Sequence, residues 1–145
     1  MKRRRAREYA LQLLFQLDLT RNKLDEELLK EFWENNNEEP EVMEFTHGIV
    51  RGTIEHLEEI DEIIKKAAKN WSIDRMAVVD RNILRAAVHE LIYSSDIPPS
   101  VIINEAIEIS RKYSTEDSSA FINGILDKIQ KSRIATDVRR PKNTD

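Results

Sequence analysis

The segment from Pro98 to Ile129, PPSVIINEAIEISRKYSTEDSSAFINGILDKI, has the pattern of two helices joined by a short polar turn. Proline fits the first turn of a helix, and apolar residues then recur at helical spacing from Ile102 to Tyr113. The residues STED that follow are typical of a second helix start, because short polar side chains cap free N–H groups and acids favour the positive end of the helix dipole. Gly124 inside this second helix indicates either a close approach of another backbone or a tolerated cost of about 1 kcal/mol.

The same helical spacing recurs through the rest of the chain, which lacks the alternating apolar and polar runs of strands. Only three glycines and four prolines occur among 145 residues, which agrees with few turns. We therefore predict an all-α fold of about seven helices in one compact domain. The five further helices are expected over about residues 3–18 and 24–33, from Pro40 to a break near His56, from Leu57 to Ala68, and from Met76 to Tyr93.

The length of the chain fits a single well-cored domain, which we place at residues 1–134, followed by a polar, mobile tail at 135–145. The chain has no cysteine, which fits a reducing compartment. No apolar run approaches the roughly 18 residues of a membrane span. The basic start has no apolar segment behind it and so does not read as a signal peptide. A cytoplasmic location is therefore expected.

Charge is strongly segregated along the chain. Residues 1–22 and 128–145 each carry a formal net charge of +4, whereas residues 23–62 carry −11. Four arginines crowd the first turn of the first helix, where cations oppose the helix dipole. Such a cluster indicates a use outside folding, and phosphate is the natural ligand because guanidinium groups grip its oxygens bidentately. From charge alone, a polyanion-binding surface and a pair of solvated tails both stay open.

The sequence predicts no catalytic centre, no metal site and no cofactor. The histidines, His47, His56 and His89, do not have metal-ligand spacing, and neither a phosphate loop nor a dinucleotide fingerprint is present. Glu105 and Glu108 lie three residues apart on a helix, which is more typical of a solvated face than of an acid–base pair. We therefore expect a binding protein rather than an enzyme.

Recognition of single-stranded RNA requires cations for phosphates and flat rings for unstacked bases. The arginines of the first helix supply the cations, and Tyr113 and Phe121 flank the polar turn between the last two helices. Asp117, between the two rings, has the right chemistry to accept a hydrogen bond from a base amino group. From these residues alone, the simpler interpretation of two core rings and a capping carboxylate is favoured.

Three separated motifs, taken together, resemble the NusB family of bacterial transcription antitermination factors. The first is the basic start Arg4-Arg5-Ala6-Arg7, the second is DRNILR with EL from Asp80 to Leu91, and the third is INEAIEISRKY followed by FINGILD. The resemblance spans nearly the whole chain and implies two small helical bundles that share the first helix. It also implies that the protein binds boxA RNA of nascent ribosomal RNA leaders together with NusE, a ribosomal protein, and helps RNA polymerase pass terminators.

The resemblance changes the interpretation of the polar turn from core to RNA contact. With Arg7 added from the arginine cluster, the expected RNA-binding residues are Arg3, Arg4, Arg7, Tyr113, Asp117 and Phe121. Phe15 and Asp80 match family positions at the NusE contact. Asp80 is expected at the solvent edge of its helix, free to pair with a basic partner or to form an ordinary salt bridge. The acidic region at 23–62 matches the family only in pattern, so its role is left open.

Two other function classes remain open from the sequence. One is a helical protein-interaction module in which the arginines are incidental. The other is a stand-alone relative of the RNA-binding domain that precedes the catalytic domain of some ribosomal RNA cytosine methyltransferases. Those enzymes need a cofactor-binding α/β domain and a cysteine nucleophile, and this chain has neither the length nor the cysteine. The sequence also leaves open whether the free protein is a monomer or a homodimer.

Overall fold

The computed structural model describes residues 1–69 and 71–139, with side chains as far as Arg133. Within these residues the chain forms seven α-helices, one short 3-10 turn and no strand, which confirms the predicted all-α fold. The helices are α1 (Lys2–Thr20), α2 (Glu26–Glu34), α3 (Pro40–Glu55), α4 (Leu57–Ala67), α5 (Val78–Tyr93), α6 (Pro99–Tyr113) and α7 (Glu116–Arg139), with the 3-10 turn at Ile73–Arg75.

Helix α1 contributes to two separate hydrophobic cores. Leu13 and Leu14 are buried against apolar residues of α2 and α3 in the smaller core. Leu11, on another side of α1, joins the larger core, which is built mainly from α4, α5, α6 and α7. Burial of each such leucine stabilises the fold by about 1.5–3 kcal/mol. The expected arrangement of two bundles that share the first helix is therefore confirmed.

Local chemistry explains several helix boundaries. Pro40 and Pro99 occupy the first turns of α3 and α6, as proline favours. The Asp25 side chain accepts a hydrogen bond from the Leu28 backbone N–H at 2.8 Å and caps α2. After α1, Arg21 adopts a left-handed conformation with φ 58°, and its N–H donates to the Leu17 carbonyl at 2.8 Å.

Two of the differences from the expected boundaries have a clear physical cause. Helix α5 begins at Val78 rather than at Met76, because Met76 is extended and buries its side chain below the 3-10 turn. Helix α7 continues to Arg139, beyond Ile129, since residues 125–139 contain neither glycine nor proline. The first residues of the predicted tail are thus helical, whereas residues 140–145 lie outside the described residues. The domain boundary at residue 134 stays a prediction.

The glycines differ in what surrounds them. A Cβ atom added to Gly52 would lie 2.1 Å from Nε2 of His89, so any larger residue here would force the His89 ring to move. A Cβ added to Gly124 would meet no atom within 4 Å among the described residues. Of the two interpretations of Gly124, the described residues therefore favour the tolerated cost over a close approach of another backbone.

Buried ion pairs hold α1 against the larger bundle. The Arg7 Nε atom donates to Glu90 on α5 at 3.0 Å, and the Arg7 Nη1 atom lies 3.5 Å from Glu105 on α6. Burial raises the pKa of Glu90 even though its hydrogen bond from Arg7 acts in the opposite direction. Near the other end of α1, Asp18 accepts hydrogen bonds from Arg81 on α5 at 2.7 and 2.9 Å. Helix α1 is thus fixed at both ends, which positions its first turn relative to α6.

Candidate nucleic-acid interface

The turn between α6 and α7 presents two of the predicted RNA-binding side chains to solvent. Tyr113 is 37% exposed at the end of α6, and Asp117 is exposed in the first turn of α7. The Thr115 hydroxyl accepts a hydrogen bond from the Ser118 N–H at 3.1 Å, which caps α7. Asp117 is therefore free of the capping role that the simpler interpretation assigned to it, and Tyr113 does not lie in the core.

Phe121 has two environments. It is half-buried, and one part of the side chain packs against the larger core. The rest of the ring meets the exposed ring of Trp71 edge to face, with 5.7 Å between the ring centroids. Phe121 lies one turn beyond Asp117 on α7, as the spacing predicted. The core interpretation and the surface interpretation of Phe121 each describe part of this residue.

Asp80 lies beneath the turn rather than at a solvent edge. It is only 7% exposed, so the expected position is wrong. The Ser114 hydroxyl donates to its Oδ1 atom at 2.8 Å, and the Ser118 hydroxyl donates to its Oδ2 atom at 2.8 Å. The physical reason is that the first turn of α5 packs under the α6–α7 turn, whose two serines occupy both carboxylate oxygens. Asp80 thus fixes the position of the turn that carries Tyr113 and Asp117.

The arginines at the start of α1 differ in their availability. Arg3 is exposed, and its guanidinium lies over the Phe45 ring, 4.8 Å from the centroid. Arg4 is partly exposed and donates through Nε to Glu105 at 2.8 Å. Arg7 is only 8% exposed and is enclosed by carboxylates. Its guanidinium forms buried ion pairs and is therefore not open to phosphate, contrary to the expectation. Arg3 and Arg4 are the two predicted cations that solvent reaches.

Glu8, which sequence reasoning missed, joins the arginine-rich helix to the turn. Its Oε1 atom accepts hydrogen bonds from the Tyr113 hydroxyl at 2.7 Å and from Lys112 Nζ at 2.6 Å. Burial opposes the charged form of Glu8, but these two hydrogen bonds prevail and lower its pKa. Glu8 lies one turn after Arg4 on α1, so the arginines and the turn share one surface. The long sequence separation gave no signal for this contact.

Trp71 is the second residue that sequence reasoning missed. It follows α4 and is 56% exposed, with its ring against Phe121. A signal was present, because a tryptophan in a turn that follows lysines at positions 65, 66 and 69 is an aromatic residue in a basic setting.

Phe15 lies on α1 away from both cores. It is half-buried and belongs to neither hydrophobic cluster of the described residues. Leu19, one turn further along, is 62% exposed, so the two side chains form an apolar strip on the outside of α1. Such a strip, with an aromatic anchor, suits contact with a protein partner.

The described residues offer little for other site types. None of the described helices is long and apolar enough to cross a membrane. Across residues 1–69 and 71–139, no group of three or more His, Cys, Asp or Glu side chains has an arrangement that would hold a metal ion. The candidate interface itself offers cations, exposed rings and the carboxylate of Asp117.

Comparisons with known proteins agree with this geometry. The model of the NusB family matches residues 4–131. A Thermodesulfovibrio yellowstonii protein named transcription antitermination protein NusB is 49% identical over 144 residues, which cover 92% of this chain and 95% of that protein. The structure of T. maritima NusB superimposes with a TM-score of 0.81 at 42% identity, covering 89% of this chain and 90% of that chain. A chain from the crystal structure of the antitermination factors NusB and NusE in complex with dsRNA gives a TM-score of 0.81 at 36% identity, covering 90% and 97%. A family match over most of the sequence, joined to the same fold, means that this chain belongs to the NusB family.

Proposed function

We propose that this protein is a transcription antitermination factor that binds the boxA element of nascent ribosomal RNA leaders together with NusE. It acts in the cytoplasm as part of the RNA polymerase antitermination complex and is a binding protein rather than an enzyme. The observation that carries the proposal is the exposed α6–α7 turn, with Tyr113 and Asp117, joined through Glu8 to the arginine-rich start of α1.

Each side chain on this surface has a separate task. Arg3 and Arg4 neutralise phosphates, for which their guanidinium groups supply paired donors. Tyr113 and the open side of Phe121 provide flat faces on which unstacked bases pack. The free carboxylate of Asp117 accepts a hydrogen bond from a base amino group, which makes it the residue that reads sequence. Arg7 contributes by holding α1 in place rather than by touching RNA.

NusE binds along α1 in this proposal. Phe15 is the anchor, and Leu19 extends the apolar strip. Asp80 serves the same assembly indirectly, because its two hydrogen bonds from serines hold the α6–α7 turn in the position that RNA requires.

We expect the affinity for RNA to fall as the salt concentration rises, with a slope set by the number of phosphates that the protein contacts. If about three or four phosphates of a single strand are neutralised, the slope of log K against log salt concentration is roughly −2 to −3. Affinity for a boxA-type RNA then falls about twenty- to sixtyfold between 50 and 200 mM salt. Fluorescence anisotropy with labelled RNA at several salt concentrations measures the slope.

Substitution of Arg3 and Arg4 by alanine should reduce both the slope and the affinity. A matched control is the double variant Lys23→Ala and Lys30→Ala, which removes the same charge from exposed positions near and on α2. An equal loss of slope in both variants would mean that only net charge matters and would contradict the assigned phosphate contacts. NusE binding without any RNA binding would instead support the protein-interaction module.

Replacement of Asp80 by alanine tests whether this residue acts through the turn. Removal of a negative charge would by itself strengthen RNA binding. Loss of the two serine contacts has the opposite effect, because it loosens the turn and so weakens RNA binding. We expect about fivefold weaker RNA binding, which corresponds to about 1 kcal/mol for a net hydrogen bond, and unchanged binding of NusE alone. Asp96→Ala, at an exposed position, is the charge-matched control. Stronger RNA binding by Asp80→Ala, or loss of NusE binding, would contradict the positioning role.

A further inference from the structure

A basic surface depression lies next to Phe121, outside the residues assigned to RNA so far. It has a volume of about 830 Å³ and is bounded by the end of α4 and by the 3-10 turn. Its lining includes Lys65, Lys66, Lys69, Arg75 and the exposed ring of Trp71. Two acidic residues also line it, so its formal charge is +2. The depression therefore combines excess positive charge with a flat aromatic face.

The cations of this depression are free, unlike most of those at the start of α1. Within the described part of the chain, the side chains of Lys65, Lys66, Lys69 and Arg75 form no ion pair. The C-terminal end of α4 carries about half a negative charge from its dipole. Two lysines in its last turn, together with Lys69 beyond it, carry more positive charge than is needed to balance this dipole. Free cations of this kind are available to a polyanion without breaking internal contacts.

Trp71 is held with its ring outward. Its backbone N–H donates to the Ala68 carbonyl at 2.9 Å, which fixes the turn after α4. In the described residues its indole N–H has no hydrogen-bond partner, whereas Trp33 donates its indole N–H to His47 at 2.7 Å and packs edge to face against Tyr9 and Phe32. Trp33 is a structural tryptophan, and Trp71 is a large ring left open to solvent.

We propose that this depression is a second subsite for single-stranded RNA, in which a base stacks on Trp71 while the free cations hold the adjoining phosphates. The inference rests on the proposed function, because it continues the RNA path from Phe121. The two rings meet at 68°, so bases that stack on Phe121 and Trp71 are splayed apart, as single-stranded nucleotides in loops allow. Continuity with Phe121 and the positive charge favour RNA over a protein partner as the occupant.

Tryptophan fluorescence tests the subsite directly. The chain contains two tryptophans, so the difference between the wild type and the Trp71→Phe variant isolates the signal of Trp71. Two probes are used, a short boxA-type RNA and the same RNA extended by several unpaired nucleotides at either end. We expect the extended RNA to quench the Trp71 signal to saturation, and the short RNA to quench it less.

Affinity measurements provide the second readout. Trp71→Ala should weaken binding of the extended RNA by about five- to hundredfold, the effect of losing one stacked base, and should change binding of the short RNA little. Lys69→Ala should reduce the salt slope for the extended RNA by about 0.7, whereas the control Lys30→Ala should leave it unchanged. Trp71→Phe should retain most of the affinity because it keeps a flat ring.

The possible failures are distinguishable. If both RNAs bind and Phe121→Ala weakens them, but Trp71 is neither quenched nor needed, the subsite is refuted and the proposed function stands. If neither RNA binds the wild type, both proposals fail together at the first step. If Trp71→Ala instead weakens NusE binding and leaves the extended RNA unaffected, the depression is a protein contact and the RNA subsite is overturned. Circular dichroism of each variant verifies that the helices remain.

Discussion

Replacement of Arg7 by alanine is expected to lower the free energy of unfolding by about 3–5 kcal/mol, because it leaves the buried carboxylate of Glu90 without its cation. Glu90 is 4% exposed and Glu105 is 7% exposed, and both face the Arg7 guanidinium. Chemical denaturation at neutral pH measures the loss. Arg3→Ala is the matched control, since it removes the same charge from the same helix at an exposed position and should cost less than about 1 kcal/mol.

The pH dependence of Arg7→Ala supports the assignment further. Burial already raises the pKa of Glu90 in the presence of Arg7, and removal of Arg7 raises it more. Protonation then removes the unpaired charge, so the deficit of the variant should shrink as the pH falls and grow as it rises. The double variant Arg7→Met and Glu90→Leu should recover much of the stability, because Glu105 keeps Arg4 as a partner. A stable Arg7→Ala protein with weak RNA binding would contradict the structural role and restore Arg7 as a phosphate contact.

Phe15 and Phe121 should affect RNA binding under different conditions. Phe121→Ala is expected to weaken RNA by about 1–3 kcal/mol with or without NusE, because a base stacks on the ring. Phe15→Ala should weaken NusE directly and RNA only when NusE is present. From Arg4 to Phe15 along α1 is about 16 Å at 1.5 Å per residue, so in the proposed arrangement RNA and NusE occupy neighbouring stretches of one rigid helix. RNA titration of both variants, with and without NusE, measures the difference.

Two controls make this comparison decisive. Phe121→Leu keeps apolar contact with the larger core and removes the flat ring, so it separates stacking from packing. Reciprocity provides the other control, since the factor by which NusE tightens RNA binding must equal the factor by which RNA tightens NusE binding. An equal loss of RNA affinity for Phe15→Ala in both conditions would show that Phe15 contacts RNA or supports the fold, and the shared-helix arrangement would fail.

Most of the fold could be predicted because the signals for helices lie in the local sequence. The apolar spacing of α6 and α7, and the prolines at 40 and 99, depend on neighbours within one or two turns. The start of α5 could not be predicted in the same way. Met76 lies between arginine and alanine, which favour helices, but it adopts an extended conformation, and its side chain is buried in the larger core. Tertiary burial decided that boundary, and tertiary burial leaves no periodic trace in the sequence.

The same distinction between local signals and tertiary burial applies to the candidate site. The exposed positions of Tyr113 and Asp117 agree with the resemblance, which located the turn. Sequence alone predicts surface positions for Arg7 and Asp80, because a charged residue ordinarily lies there. Their partners lie far along the chain, 83 residues away for Glu90 and 34 for Ser114. Charge is visible in a sequence, but the partner that buries it is visible only in the fold.

The sharing of α1 between two cores makes the protein a single cooperative unit. Neither bundle has a complete core without this helix, since Leu11 fills one and Leu13 fills the other. Opening of either bundle therefore removes support from both, and a partly unfolded state with one intact bundle has little to stabilise it. The helix that carries Arg3 and Arg4, proposed to bind phosphate, and the apolar strip proposed for NusE is thus supported by both cores, which keeps the two surfaces in register for as long as the protein is folded.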